Sequence, residues 1–119
     1  MPKTVVIGAS PNPRRYSNMA VKRLKQHQKE VEAVGLRNGE IDGVSIQKGH
    51  PEMDDVHTVT MYVGARNQPS LYDYILSLKP ERVIFNPGAE NPELKRKLLD
   101  QGVEVLEACT LVMLSTGDY

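Results

Sequence analysis

Thr4-Val5-Val6-Ile7-Gly8-Ala9-Ser10-Pro11-Asn12-Pro13 is the stretch that decides the fold. A short, β-branched apolar run closed by Gly reads as a strand buried on both faces, the situation of a strand inside a parallel sheet. The prolines at 11 and 13 exclude a helix interior directly after it. A helix is expected to begin near Ser17, a residue type that caps well. Ala20, Val21 and Leu24 then share one face, with Lys22, Arg23, Lys25 and Gln26 outside.

The same alternation continues along the chain. Glu30–Val34 reads as a second strand ended by Gly35, and a Gly-rich loop follows (Gly39, Gly43, Gly49) in which Val44-Ser45-Ile46 is a short edge strand or extended chain. His57–Val63 is rich in Val, Thr and Tyr and reads as the third main strand. Leu71, Tyr74, Ile75 and Leu78 form a helical stripe, opened by Pro69 and stopped by Pro80. Arg82–Phe85 is a fourth strand. Asn91 as N-cap and Pro92 as first residue announce a helix with Leu94, Leu98 and Leu99 on its apolar face, and Val103–Leu106 is the fifth strand. Leu111–Leu114 is a short apolar tail, strand or helical turn. The pattern predicts an α/β fold: a five-stranded parallel sheet of order 3-2-1-4-5 with helices on both faces and right-handed crossovers.

Composition narrows the function. The 119 residues make one domain, 1–119. Fifteen Lys and Arg offset fifteen Asp and Glu, so the chain lacks the basic surplus of a sequence-independent nucleic-acid binder. No apolar run approaches the roughly 20 residues of a membrane span. One cysteine makes neither an intrachain disulfide nor a Cys-rich zinc site. Met1-Pro2-Lys3 runs straight into the first strand without a signal-type apolar segment, and the expected location is the cytoplasm.

In such a sheet a ligand binds outside the carboxyl ends of the strands, where the strand order reverses. That gathers the loops Gly8–Ser17, Val34–Gly39 and Val63–Gln68, with Asn86–Asn91 beside them. Gly8, Ala9 and Ser10 are small enough for backbone to approach a phosphate. The N-terminus of the following helix complements negative charge. Ser10 and Ser17 offer hydroxyls, and Arg14 and Arg15 offer guanidinium forks. Against this stands a plain tight turn with two solvated arginines. The loop is neither Gly-x-Gly-x-x-Gly nor a Walker loop. After the second strand, Gly35-Leu36-Arg37 places Arg where an NAD site has an acidic residue. Arg37 suits a phosphorylated ribose, as in NADP or coenzyme A, or else is an exposed surface residue. Acidic pairs for Mg²⁺, a Cys-x-x-Cys and a Gly-x-Ser-x-Gly elbow are all missing. His27, His50 and His57 have no metal-ligand spacing, Cys109 reads as a buried, inert thiol, and Glu52–Asp55 reads as a solvated loop. No catalytic residue and no metal ligand is assigned.

The order of these motifs resembles the small single-domain CoA-binding proteins of bacteria, themselves similar to the nucleotide-binding domain of the succinyl-CoA synthetase α subunit. The resemblance rests on Val6-Ile7-Gly8-Ala9-Ser10-Pro11-Asn12-Pro13, Tyr16-Ser17-Asn18, Val34, Asn86-Pro87-Gly88-Ala89-Glu90-Asn91 and Cys109. It implies a three-layer Rossmann-like sandwich that binds coenzyme A, with the pyrophosphate on the first loop. It implies a site drawn from Gly8, Ala9, Ser10, Arg14, Arg15, Tyr16, Ser17, Gly35, Arg37, Val63, Asn86, Pro87 and Gly88. The chain departs from the family at Gln28, where Gly is usual, and at Gly35-Leu36, where Asn-Pro is usual. The expected partner is a small nucleotide ligand, with no reaction of its own, and a protein partner or homo-oligomer is left open. The competing readings are an NADP-dependent oxidoreductase and a structural or partner-binding domain that has lost its ligand.

Overall fold

The β-branched opening run forms β1 (Lys3–Ile7), a central strand of the sheet. A computed structural model describes residues 2–119. On one side β1 pairs in parallel with β2 (Glu30–Val34), and on the other with β5 (Val56–Met61), so that Ile7 stands between Val34 and Met61. Val5 and Val6 are wholly buried, each on an opposite face, which is why this strand carries no alternation of polar residues.

The sheet is larger than five strands. Seven strands run in the order β3-β4-β2-β1-β5-β6-β7, where β3 is Glu40–Ile41, β4 is Val44–Gln47, β6 is Arg82–Phe85 and β7 is Glu104–Glu107. All pairings are parallel except β3 with β4. The expected order 3-2-1-4-5 is corrected accordingly. His57–Val63 contributes the fourth parallel strand, beside β1, and the third position beyond β2 belongs to Val44–Gln47. The parallel strands thus follow 3-2-1-4-5-6. Val44–Gln47 realises the short strand offered at Val44–Ile46, though inside the sheet rather than at its edge, and only Glu40–Ile41 escaped the reading, because two residues carry no periodicity. Asp42 and Gly43, both at positive φ (48° and 85°), make the tight hairpin turn between them.

Helices α1 (Tyr16–Gln26) and α4 (Thr110–Thr116) cover one face of the sheet, and α2 (Tyr72–Ser77) and α3 (Pro92–Asp100) the other. Val21, Leu24 and Leu114 pack with Val6, Ala33 and Ile46. Tyr74, Ile75, Leu94 and Leu98 pack with Val5, Ile7, Met61 and Phe85. The apolar tail at Leu111–Leu114 is therefore helix, ended at Gly117 in the left-handed conformation. Beyond it Tyr119 lies under the Arg82 guanidinium, 4.5 Å from ring to cation, and its hydroxyl bonds that of Thr4.

Helix α1 starts two residues earlier than its best capping residue suggested. Its N-cap is Arg15, whose side chain makes no capping bond, and Ser17 lies inside the first turn, buried. Asn12 causes this. Its Oδ1 accepts the Arg14 N–H (3.0 Å), its carbonyl accepts the Arg15 N–H (3.0 Å), and its own N–H donates to Ser10 Oγ (3.1 Å). This Asx-type turn redirects the chain between the two prolines.

The loops after β1 and β2 meet without room for a side chain. A β-carbon on Gly35 would lie 2.1 Å from the Ala9 carbonyl oxygen. Gly35→Ala should therefore destabilise the domain by about 1–3 kcal/mol or more through overpacking. Gly64, with an extended backbone (φ −62°, ψ 151°) and open space over it, should accept Ala with stability unchanged or raised by about 0.4–1 kcal/mol. Urea unfolding of the two variants beside the parent measures both, and equal effects would contradict the contact.

Candidate functional site

The strand order reverses between β1 and β5, so the loops after these two strands form opposite banks of one crevice. On the β1 bank, Gly8 and Ala9 shape the turn. Their N–H groups both donate to the Val34 carbonyl (2.9 Å each), which removes them from the supply of anion donors. Gly8 sits at φ 95°, and a β-carbon there would press on Val63 Cγ2 (3.0 Å) and the Tyr62 carbonyl carbon (3.1 Å). The end of β5 alone thus calls for a glycine at this position. Asn18, buried in the first turn of α1, donates to the Ser10 carbonyl (2.9 Å) and ties the loop to the helix.

With those bonds made, the N–H groups of Ser10, Tyr16 and Ser17 have no acceptor among the described residues. They belong to the loop and the first turn of an eleven-residue helix, where backbone donors and the helix dipole favour an anion. Arg14, Arg15 and Tyr16 flank them, exposed. Arg37 is exposed on the loop after β2, beside Leu36, which is 95% exposed. Two further cations went unnoticed in the sequence. Lys48 follows the last residue of β4, and Arg66 lies in the 3-10 turn after β5. Five cations therefore gather at the carboxyl ends of the strands in a chain of zero net charge. Of the carboxylates near that end, Glu90 accepts from the Gly88 N–H (2.9 Å) and Glu107 pairs with Lys95 (3.3 Å), while Asp73 and Glu93 stand in the first turns of α2 and α3.

The β5 bank is built differently. Gln68 is completely buried. Its Nε2 donates to the carbonyls of Val63 (2.8 Å) and Ala89 (2.7 Å), and its Oε1 accepts from Asn91 Nδ2 (2.9 Å). Asn91 also donates to the Tyr72 hydroxyl (2.8 Å) and caps α3 through the Glu93 and Leu94 N–H groups. The loops after β5 and β6 are thereby fastened together. Gln68 was missed because an isolated Gln in a polar loop carries no periodic signal. Asn86 is buried, and its amide is wholly engaged: it donates to Thr60 Oγ1 (2.7 Å) and the Met61 carbonyl (2.8 Å) and accepts the Thr110 N–H (2.8 Å). It anchors the loop, while Pro87 and Gly88 stand exposed beyond it. Val63 is half-buried at the mouth of the crevice.

Other reactive groups lie apart. His27 is exposed, the His50 ring stacks on Tyr74 (4.8 Å), and His57 Nε2 is 3.7 Å from Glu81. Among the described residues no three His, Cys, Asp or Glu converge as metal ligands. Cys109 is half-buried at the N-cap of α4, more accessible than an inert core thiol. Two shallow grooves, of about 670 and 660 Å³, share Lys79 and Glu81 at the amino ends of the strands, the first also lined by His57, and touch none of the candidate site residues.

The family model for the CoA binding domain matches residues 2–115, and the chain belongs to that family. A crystal structure of an uncharacterized protein is similar at 50% identity, covering 100% of this chain and 98% of its own, with a TM-score of 0.97. A conserved hypothetical protein from Pyrococcus furiosus is similar at 26% identity over 94% of this chain and 98% of its own, with a TM-score of 0.79. The dinucleotide-forming acetyl-coenzyme A synthetase 1 of Ca. Korarchaeum cryptofilum, solved with phosphate and ADP, shares the fold at 18% identity. The match covers 89% of this chain and 25% of that one, with a TM-score of 0.73. Among curated proteins there is no match. The Rossmann-like α/β fold with a mostly parallel sheet is thus shown by both topology and likeness.

Next to the crevice, Tyr62 turns its hydroxyl into the α4 face of the sheet. The oxygen is buried without a hydrogen-bond partner of normal geometry. Burial pushes its pKa up to about 12, tempered by the nearby hydroxyls of Thr110 and Thr60. Because the folded state holds this proton more tightly than the unfolded chain, stability is intact below pH 10 and falls as pH rises toward about 12. An ultraviolet phenolate titration of the parent minus that of Tyr62→Phe should place the difference at about pH 12. A difference centred at the ordinary tyrosine value of about 10 would contradict the burial.

Proposed function

We propose that this member of the CoA-binding domain family binds coenzyme A or an acyl-CoA. The observation that carries the reading is the set of three N–H groups without acceptors, Ser10, Tyr16 and Ser17, beside Arg14 and Arg15. Free backbone donors in the loop and in the first turn of a helix suit a pyrophosphate. Arg14 and Arg15 add charge-assisted bonds from the solvent side, and these are screened by salt. Arg37 and Lys48, off the ends of β2 and β4, take the 3′-phosphate of the ribose. Exposed Tyr16 and Leu36 offer apolar surface near the adenine. The other half of the ligand, the pantetheine arm, crosses the reversal point onto the bank formed by Val63, Pro87 and Gly88.

Gly35 fits this arrangement in place of the family's usual Asn. It removes a side-chain contact to the ribose but lets the β2 loop close on Ala9, which leaves Arg37 to read the ribose phosphate. The bound state needs no reaction at this chain. Its role is to hold or present CoA in the cytoplasm, and a partner would supply any chemistry.

NADP carries a ribose phosphate too, and melting with the two ligands side by side separates them. A ligand at 100 times its Kd adds about 2.7 kcal/mol, a rise of roughly 10 °C in Tm for a domain of this size. The expected result is that rise with CoA and little with NADP. The reverse would favour the oxidoreductase, and no rise with either would favour a domain without a ligand. Arg37→Ala should weaken CoA about tenfold to a hundredfold, the loss of one charge-assisted bond of about 1.5–3 kcal/mol. It should leave dephospho-CoA unchanged. Calorimetric titration reads both, and equal CoA affinity of variant and parent would remove Arg37 from the site.

A further inference from the structure

We infer that Gln68 is a positioning residue for the pantetheine arm: it sets the affinity of that half of the ligand without touching it. This rests on the CoA reading above. The two banks of the crevice differ in construction. On the nucleotide side the arginines are exposed and free to adjust to phosphates. On the far side two separate loops must form one surface, and the buried amide of Gln68, held in turn by that of Asn91, joins them. The two hydrogens of Gln68 Nε2 go to two carbonyls, one in each loop, and its Oε1 is held by Asn91. Its backbone is engaged as well, with N–H to the Ala65 carbonyl (3.1 Å) and carbonyl to the Leu71 N–H (2.7 Å).

No smaller side chain spans both carbonyls, and an apolar one of the same length leaves both buried without donors. Beyond this clasp lie half-buried Gly64, over which space is open, and exposed Pro87 and Gly88. Such a bank suits a neutral, extended chain bearing amides, as pantetheine is. A bank fixed before binding avoids the cost of ordering two loops on association.

The test compares CoA with adenosine 3′-phosphate 5′-diphosphate, which lacks the arm, on the parent and on Gln68→Met. The parent must first bind both probes. If it binds neither, the CoA reading fails, and that failure is separate from the one at issue. The expected result is that Gln68→Met weakens CoA about tenfold or more and changes the nucleotide fragment by less than about twofold, as for a distant independent site. A parallel loss of both would reduce Gln68 to general stability, and no loss of either would leave the bank independent of it; each overturns the inference. If Gln68→Met does not fold, hydrogen exchange on the parent decides. CoA should slow exchange in residues 63–68 and 86–91 together, and the fragment should slow neither. Protection of a single loop, or equal protection by both probes, would overturn the proposal.

Discussion

The Val34 carbonyl accepts two hydrogen bonds, from the Gly8 and Ala9 N–H groups, and the rest of the crevice is arranged around that point. It joins the ends of β1 and β2 across their loops. It also draws Gly35 so close to the Ala9 carbonyl that no β-carbon fits. Because Gly8 and Ala9 are held there, the first free donor is at Ser10, and the next are in the opening turn of α1. The junction thus decides which backbone groups can meet an anion. A loop of the same composition without it would present a different set.

Charge is distributed with similar economy. The formal net charge is zero, yet Arg14, Arg15, Arg37, Lys48 and Arg66 all stand at the carboxyl ends of the strands. Two carboxylates at that end are tied to local donors. Asp54, Asp55 and Glu81 lie at the opposite end, around the amino-end groove. The amino ends carry cations as well, among them Lys3, Lys79 and Arg82, so the carboxyl ends are distinguished by a local cluster of cations rather than by a charged pole.

The far bank is rigid for another reason. Thr60, Asn86 and Thr110 form one buried polar cluster on the α4 face, and Gln68, Asn91 and Tyr72 form a second on the α2 and α3 side. In a dry interior such clusters hold only when their members are satisfied together. Asn86 and Asn91 flank the same loop, so each cluster pins one of its ends. Among the described residues two buried polar atoms, the Tyr62 hydroxyl and Asn18 Oδ1, lack a partner.

Local chemistry made much of this legible in the sequence. The buried run at Val5–Ile7, the Leu71–Leu78 stripe and the Asn91-Pro92 cap each carry their own signal in side-chain type and spacing, and the parallel α/β architecture follows from their order. The candidate loops follow from the rule for strand ends. What the tertiary structure alone decided depends on long-range pairing. The edge strand Glu40–Ile41, which makes a hairpin with the strand offered at Val44–Ile46, was hidden because two residues show no periodicity. The start of α1 moved from Ser17 because Asn12 outcompeted it for the turn. The bonds of Gly8, Ala9, Gln68 and Asn86 join residues up to 26 positions apart. Residue type tells that an amide can donate twice and a glycine can turn, but the partner is chosen by packing, which only the folded chain specifies.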